Sequence, residues 1–497
     1  MAKVDRSIRL LVFITWGALV VYGIVNHVYW RDEVRPLSIA LSSDSFLDLF
    51  ANLKNEGHPI LWYLLLKVFH SLFNTPLVLG FLSLLFAFGF VYLLLFKTKI
   101  HWLFAVLIVF GFYGLYEYSI NSRNYGISVF LIFWFACMLL QKKEGLLPLI
   151  CLVILPQTNF YATMFTPVFL TLYILQNPKL RMGQIVAIGL VILSVFFAVL
   201  TCLPNEQSLV VKTWTWNELS WVHVWDVGIG FPQLLGLSIP LERELTTLLL
   251  LLSLLIFFRR KSIMLLAFAL MIIMSFFHQN IRENYLHHQG VFIFGFIALI
   301  IGSYEDLKLD FKRSTTVRNL MGLGIISFTF ILTVLFYKGY QAYGMDFRFK
   351  NSNANELGHY LQLSHVTERV IIAEPDYIME SVMYYYPYPF WVLREQKMAR
   401  FTHFTKENKD SVSLQDVLKT GDSLVQRGKK VDLVFGWQLP DTVHTYHFSY
   451  NKKFYLDSVS LKQFHQDYYL FKSYANWIKH DEYYYWYKSI EKDSIEK

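Results

Sequence analysis

Cysteine and charged residues are both scarce in this sequence. Only three of its 497 residues are cysteine, namely Cys137, Cys151 and Cys202, and all three lie in or beside apolar runs. A disulfide-stapled scaffold is therefore excluded. Asp, Glu, Lys and Arg make up 16% of the chain, whereas about a quarter is usual for soluble domains. So little charge excludes an ordinary soluble protein of this length.

The chain also lacks the short motifs that mark nucleotide and zinc chemistry. It contains no P-loop, no dinucleotide-binding glycine fingerprint, no zinc-ligand spacing and no His-Glu-x-x-His segment, and no internal repeat is recognisable. The net charge of +8 does not indicate a nucleic-acid partner, because the basic residues gather in short clusters between apolar runs. We therefore expect no nucleic-acid binding.

Hydrophobic residues, by contrast, make up 55% of the chain and aromatic residues 18%. Five runs approach the roughly 20 apolar residues that cross a bilayer. They are 8–28, 75–96, 184–203, 245–258 and 319–337. The sequence therefore predicts a mainly α, polytopic membrane protein in a lipid bilayer. The first run has no small-residue cleavage site after it, so we expect a retained span rather than a removed signal peptide.

Lysine and arginine indicate the topology, because short cytoplasmic loops collect them. The clusters are Lys3/Arg6/Arg9, Lys97/Lys99, Lys142/Lys143, Lys179/Arg181, Arg259/Arg260/Lys261 and Lys308/Lys312/Arg313/Arg318. Each interval between clusters can hold one helical hairpin, which gives about eleven spans, including short ones at 102–116, 126–140 and 291–302. The N-terminus is then cytoplasmic, and everything after residue 341 lies outside the plasma (inner) membrane.

Two segments of this topology are predicted to be folded outside the membrane. Residues 58–73 carry Lys67 and His70 within an apolar run, so we expect a helix lying at the outer interface, within a structured outer loop of residues 30–74. Residues 341–497 show strand-length hydrophobic runs between polar stretches and predict a soluble α/β domain. The predicted strands are "RVIIAEPD", "KKVDLVFG", "KFYLDSV", "YLFKSYA" and "EYYYWYKS".

Three segments of the first 140 residues carry a family resemblance. They are "WRDEVRPLSIA", "GHPILWYLLLKVFHSLF" and "SINSRNYGISVFLIFWF". In this order and spacing they resemble the GT-C type of glycosyltransferases, which includes protein O-mannosyltransferases and aminoarabinose transferases. An acidic pair after the first span, a His-Pro segment opening an interfacial helix and an Arg-x-Tyr motif are the shared marks. The resemblance implies that residues 1–340 are a catalytic membrane domain.

The implied reaction moves a sugar from a polyprenyl-phosphate carrier to a protein, lipid or glycan acceptor on the outer face. A carboxylate must take the acceptor proton or hold a divalent metal, and one such base suffices for an inverting transfer. Asp32 fits this task, with Glu33 as a second or orienting carboxylate. No cofactor is otherwise indicated. Phosphate as the leaving group calls for cations, which Arg123 and Arg282 supply.

Further residues are expected on the substrate side of the site. By family position they include His58 and Tyr125. The family often has an acid two residues before the arginine, but this chain has Asn121 there, and its nearest acid is Glu117. His287 and His288 follow Arg282 within two helical turns, so the three predict a phosphate-binding surface. Tryptophans 214, 216, 221 and 225 indicate either a sugar-stacking platform or an interfacial helix.

Other interpretations remain open from the sequence alone. The acidic pair can be a solvated helix cap paired with neighbouring arginines, and Arg123 with Tyr125 can be ordinary interface residues. A transporter or flippase for lipid-linked glycans is the main alternative function, although its polar groups would be expected near the bilayer midplane. A polymerase of lipid-linked glycans and a structural or receptor protein are further alternatives.

Overall fold

The computed structural model describes residues 3–142, 145–203, 227–280, 285–363, 369–406, 408–448, 452–475 and 482–490. Up to Arg348 the described chain is helical. Its helices are α1 (Lys3–Asn26), α2 (Arg31–Leu41), α3 (Phe46–Asn52), α4 (Leu61–Phe73), α5 (Val78–Tyr92), α6 (Trp102–Val109), α7 (Tyr125–Leu140), α8 (Leu146–Ile154), α9 (Phe160–Gln176), α10 (Met182–Cys202), α11 (Glu242–Ser253), α12 (Lys261–Asn280), α13 (Leu286–Gly302), α14 (Tyr304–Phe311) and α15 (Thr315–Arg348).

Within the described ranges, five helices are long and apolar enough to cross a membrane. They are Val4–Asn26, Val78–Lys97, Met182–Cys202, Lys261–Asn280 and Thr315–Arg348, and the bent pair α13 and α14 would make a sixth. Four of the five runs predicted from the sequence are thereby confirmed as long apolar helices. The run 245–258 is not, because α11 ends at Ser253 and the chain tightens into a 3-10 turn, Leu254–Phe257.

The predicted count of eleven spans is not confirmed. One reason is that the run 102–116 is broken into the eight-residue α6 and a π-helical turn, Phe112–Glu117. Close backbone packing accompanies the break: a Cβ on Gly339 of α15 would lie 2.7 Å from the carbonyl carbon of Gly111. Only glycine permits this approach. At this break the C-terminal half of α15, which contains Gly339, packs against the segment that leads to Glu117 and Arg123.

The predicted outer segment 30–74 is folded into three short helices, α2, α3 and α4. Helix α4 begins at Leu61 rather than at residue 58 and ends at Phe73, and the capping residue Asn74 has a left-handed backbone conformation (φ 47°). Its 13 residues span about 20 Å, too short for the roughly 30 Å hydrocarbon core of a bilayer. This length agrees with a helix that lies at the membrane interface.

A C-terminal α/β region with two sheets follows α15, which continues past the predicted boundary at Tyr340. Its elements are α16 (Ala354–Leu363), β1 (Arg369–Glu374), α17 (Met379–Val382), β2 (Phe390–Val392), β3 (Lys397–Ala399), β4 (Ser411–Ser413), α18 (Leu414–Gln426), β5 (Lys430–Phe435), β6 (His444–His447), β7 (Lys453–Leu456), α19 (Ser458–Asp467), β8 (Tyr468–Tyr474) and β9 (Tyr484–Ser489). The five predicted strands are confirmed as β1, β5, β7, β8 and β9. Four short strands, β2, β3, β4 and β6, were not predicted.

The larger sheet has the strand order β3-β2-β1-β5-β9-β8, and β2, β1 and β5 are parallel in it. One of its faces shares a hydrophobic core with the outer segment. That core joins Val34 and Tyr63 of the outer segment to Leu357, Met379 and Trp486 of the C-terminal region, all at most 2% exposed. Residues 30–74 are thus held between the helical region and the C-terminal domain, which fixes the position of α2.

Candidate functional site at the start of α2

Three buried ionisable side chains meet where α1 ends. The two ring nitrogens of His27 each contact a carboxylate: Nε2 lies 2.9 Å from Glu33 Oε2, and Nδ1 lies 2.7 Å from Asp346 Oδ2. Burial alone would lower the pKa of His27, but the charges of Glu33 and Asp346 and their hydrogen bonds outweigh it and raise the pKa to about 10. His27 is therefore a cation that joins the ends of α1, α2 and α15.

Glu33 is fully buried and committed to this arrangement. Besides contacting His27, its carboxylate accepts hydrogen bonds from the backbone N–H of Ser122 at 2.6 Å and of Trp30 at 3.2 Å. The bond to Trp30 is the helix-capping contact that an acid at the third helical position makes. Of the two roles that the sequence left for Glu33, this geometry fits the orienting one.

Asp32 differs from its neighbour in that it reaches solvent. Its side chain is 34% exposed, and it lies between two arginines, with Oδ1 3.4 Å from Arg31 Nε and Oδ2 3.7 Å from Arg123 Nη2. Because Glu33 points inward at the adjacent helical position, α2 directs the two acids to different environments. Asp32 is thus the carboxylate of the pair that a second molecule can reach.

Arg123 is a nearly buried cation beside Asp32, with a side chain only 10% exposed. Its guanidinium lies 5.3 Å from the ring centre of Tyr125 and 5.9 Å from that of Trp30, within cation–π range. Burial lowers its pKa, but Tyr125, Asp32, Glu117 and Glu33 together more than reverse this and raise the pKa. Arg123 therefore stays charged in an aromatic frame, next to an accessible acid.

Tyr125 connects Arg123 to the histidines at the start of α13. Its ring lies 5.9 Å from that of His287 and 6.3 Å from that of His288. His288 is buried and stacks on Tyr161 at 4.8 Å, while the hydroxyl of Tyr118 donates to the carbonyl of His287 at 2.6 Å. The two predicted histidines are thereby brought to the same end of the helical region as Arg123.

Glu117 is buried at the end of the π-helical turn and accepts a hydrogen bond of 2.9 Å from the side-chain amide of Asn121. Its charge contributes to the raised pKa of Arg123. The residue that departs from the family pattern, Asn121, therefore contacts the nearest acid directly. Glu117 lies behind Arg123 as a buried countercharge, whereas Asp32 lies on its exposed side.

The structure describes only some of the remaining predicted residues. His58 is half-buried in the turn before α4, a helix that packs on α2. Arg282 falls outside the described residues, as do tryptophans 214, 216, 221 and 225. The roles predicted for Arg282 and for the tryptophan segment therefore stay predictions.

Sequence reasoning missed His27 and Asp346, and it also missed the residues that fasten the C-terminal domain to α2. Arg35 binds Glu56 through Nε and Nη2 at 2.9 and 2.6 Å, and it binds both oxygens of Glu380 through Nη1 at 2.7 and 2.8 Å. Its Nη2 also donates to the carbonyl of Thr402 at 2.9 Å. Charge-assisted contacts of this kind fix geometry strongly. In the sequence, the only sign of this network was the presence of charged residues close to Asp32.

Two further contacts from the C-terminal domain reach the backbone around the site. The carboxylate of Glu482 accepts from the N–H of Arg31 at 2.7 Å, and the hydroxyl of Tyr385 accepts from the N–H of Tyr29 at 2.9 Å. The N–H of Arg31 belongs to the first turn of α2, so Glu482 caps that helix from outside. The first turn of α2, which carries Asp32, is thus held by contacts from the C-terminal domain as well as from within the helical region.

The chain matches no protein-family model, no curated protein and no solved structure in the three comparisons made. Among the residues that the structure describes, no group of three or more His, Cys, Asp or Glu side chains is arranged to hold a metal ion. Fold and site together describe a helical protein with several apolar helices suited to a lipid bilayer, an α/β domain, and an accessible acid beside a buried arginine.

Proposed function

We propose that the protein is an integral-membrane glycosyltransferase that moves a sugar from a polyprenyl-phosphate carrier to an acceptor on the outer face of the plasma membrane. The observation that supports this best is the geometry of Asp32, an accessible carboxylate whose Oδ2 lies 3.7 Å from the buried Arg123 guanidinium. A carboxylate beside a cation suits a reaction in which a base takes the proton of the acceptor and a phosphate leaves with a negative charge.

In the proposed reaction the acceptor oxygen attacks the sugar carbon that is bonded to phosphate. Asp32 takes the proton of the attacking hydroxyl as the new bond between the acceptor oxygen and the sugar carbon forms. The bond between the sugar carbon and the phosphate oxygen breaks, and its electron pair stays on that oxygen. The leaving group is the polyprenyl phosphate. Attack from the face opposite the leaving group inverts the sugar carbon, so a single carboxylate base is sufficient.

Arg123 has two tasks in this proposal. It holds Asp32 in place through the 3.7 Å ion pair, and it stabilises the negative charge that develops on the departing phosphate. Tyr125 and Trp30 restrict the reorientation of the guanidinium, since it lies within cation–π distance of both rings. His287 and His288, with Arg282 ahead of them in the sequence, extend the phosphate-binding side of the site.

The proposed topology follows the basic clusters of the sequence. It has about eleven membrane passes once the short and broken helices are counted, a cytoplasmic N-terminus and an extracytoplasmic C-terminal domain. Asp32 then lies at the outer membrane surface, where the phosphate of a lipid carrier is also found.

The decisive experiment measures transfer of a labelled sugar from polyprenyl phosphate by the purified full chain in nanodiscs. Asp32→Asn keeps the size of the side chain but cannot take a proton, so transfer should fall by about 10²- to 10⁴-fold. Asp44→Asn, which changes an exposed acid outside the site, is the matched control and should leave transfer unchanged. Near-normal transfer by a well-folded Asp32→Asn would overturn the proposed mechanism.

A further inference from the structure

A largely apolar cavity of about 310 Å³ lies at the other end of the helical region from Asp32. Its walls come mainly from α6, α13, α14 and α15, and the apolar ones include Phe104, Ile297, Ile300, Ile325, Phe328 and Leu332. The volume is at the lower end of the range seen for ligand-binding cavities. The cavity borders the C-terminal half of α13, whereas His287 and His288 begin that helix, so this is a separate place from the proposed active site.

Basic and polar side chains line the mouth of this cavity. Lys308, Lys312, Tyr304 and His101 all contribute to its lining. The first three lie on or directly after α14, which is bent by 69° from α13. The bend turns the chain across the end of the helical region. The exposed Lys308, on α14, and Lys312, directly after it, therefore border the apolar interior of the cavity.

The acids of α14 form their ion pairs with other cations than these lysines. Asp306 and Asp310 pair with Arg260 at 3.4 and 2.7 Å, and Glu305 pairs with Lys99. Over the part of the chain that the structure describes, neither Lys308 nor Lys312 forms an ion pair. Lys308 and Lys312 therefore keep exposed ammonium groups at the mouth of the cavity, outside these ion pairs.

We propose that this cavity binds an anionic phospholipid, with an acyl chain among the apolar walls and the phosphate group at Lys308 and Lys312. Basic residues at the membrane surface attract anionic headgroups, and an apolar interior next to them accepts the chain. A sugar carrier is not the expected occupant, because α13 has 17 residues and separates the two sites by about 25 Å. The inference is independent of the proposed transfer reaction.

The test uses the delipidated full chain in a detergent with a neutral headgroup. Binding of phosphatidylglycerol and of phosphatidylcholine is measured by native mass spectrometry as each lipid is titrated. The wild type should bind phosphatidylglycerol more tightly. The double variant Lys308→Gln/Lys312→Gln should weaken phosphatidylglycerol binding roughly 30-fold, since each surface cation contributes about a fivefold gain in affinity.

A control pair and a second variant make the outcome specific. Lys179→Gln/Arg181→Gln removes two exposed cations that do not line the cavity, and it should leave binding unchanged. Ile325→Phe fills the cavity without changing charge and should also weaken binding, with folding checked by Tm. Equal phosphatidylglycerol affinity in the lysine double variant and the control pair would overturn the proposal. So would equal affinity of the wild type for both lipids, or displacement of phosphatidylglycerol by an equimolar amount of polyprenyl phosphate.

Discussion

Asp346 Oδ2 lies 2.7 Å from Nδ1 of His27, a residue 319 positions earlier in the chain. This contact joins the C-terminal ends of α1 and α15, and the other ring nitrogen of His27 contacts Glu33. Glu33 in turn holds the N–H of Ser122, one residue before Arg123. The relative position of Asp32 and Arg123 therefore depends on a histidine that does not itself reach solvent.

The first prediction concerns the charge state of His27. Its pKa is raised from 6.5 to about 10 in the folded chain, so its stabilising effect is fully present below pH 6.5 and is lost as the pH rises toward 10. His27→Gln should lower stability at pH 6.5 by roughly 3–5 kcal/mol, because two buried carboxylates lose their cation. Tm measured from pH 6 to 10 should show the difference from wild type shrinking with pH.

The control for this titration is His447→Gln, since His447 is an exposed histidine of β6. Its Tm should follow that of the wild type over the whole pH range. A stability difference for His27→Gln that stays constant from pH 6 to 10 would contradict the assignment of a buried cation at this position.

The second prediction concerns the guanidinium of Arg123. Arg123→Lys keeps a positive charge but loses the planar group that lies against Tyr125 and Trp30, whereas Arg123→Ala loses both. Transfer should fall about 10- to 100-fold in Arg123→Ala and by less in Arg123→Lys, as expected for one hydrogen bond to a charged group. The assay is sugar transfer in nanodiscs at several donor concentrations. Unchanged kinetics of Arg123→Ala, alongside an unchanged Arg348→Ala, would remove Arg123 from the site.

The third prediction concerns the attachment of the C-terminal domain. Arg35→Gln leaves the buried carboxylate of Glu380 and the nearly buried carboxylate of Glu56 without their cation and should destabilise the protein by roughly 3–5 kcal/mol. Lys350→Gln is the matched control: its ion pair with Glu356 is about 40% exposed on both sides and should contribute little. Thermal unfolding measures both variants. Equal Tm values for Arg35→Gln and Lys350→Gln would show that this network does not hold the domain.

The fourth prediction concerns topology and uses the buried native thiols. Cys137, Cys151 and Cys202 are all buried, so a membrane-impermeant maleimide should give little background. Lys419→Cys, exposed on α18, should be labelled on intact cells, whereas Lys179→Cys should be labelled only after permeabilisation. Labelling of Lys179→Cys alone on intact cells would reverse the orientation proposed from the basic clusters.

The parts of the fold predicted from the sequence are those with a strong local signal. Long apolar runs such as 184–203 identify helices by composition alone, and β-branched and aromatic runs such as "KKVDLVFG" identify strands. The run 102–116 has the same composition but is broken by close backbone packing at Gly111 and Gly339, which no local pattern shows. The number of spans therefore depends on tertiary contacts.

The candidate site likewise contains residues that local sequence motifs predicted and residues that only tertiary contacts reveal. Asp32, Arg123 and Tyr125 were found through short motifs, and the structure places them together. His27 and Asp346 were missed because each is a single polar residue at the end of an apolar helix, and their relationship appears only when α1 and α15 are side by side. Arg35 was visible next to Asp32, but its partner Glu380 is 345 residues away.

The cap that Glu482 places on the N–H of Arg31 has a consequence for biosynthesis. The ribosome synthesises α1 early, yet the contact that completes the first turn of α2 requires a residue 451 positions after Arg31 to have been translated. An interrupted nascent chain can therefore form its apolar helices while the first turn of α2, which carries Asp32, lacks the contact with Glu482. The order of synthesis thus delays the final form of the site until the last strand has emerged.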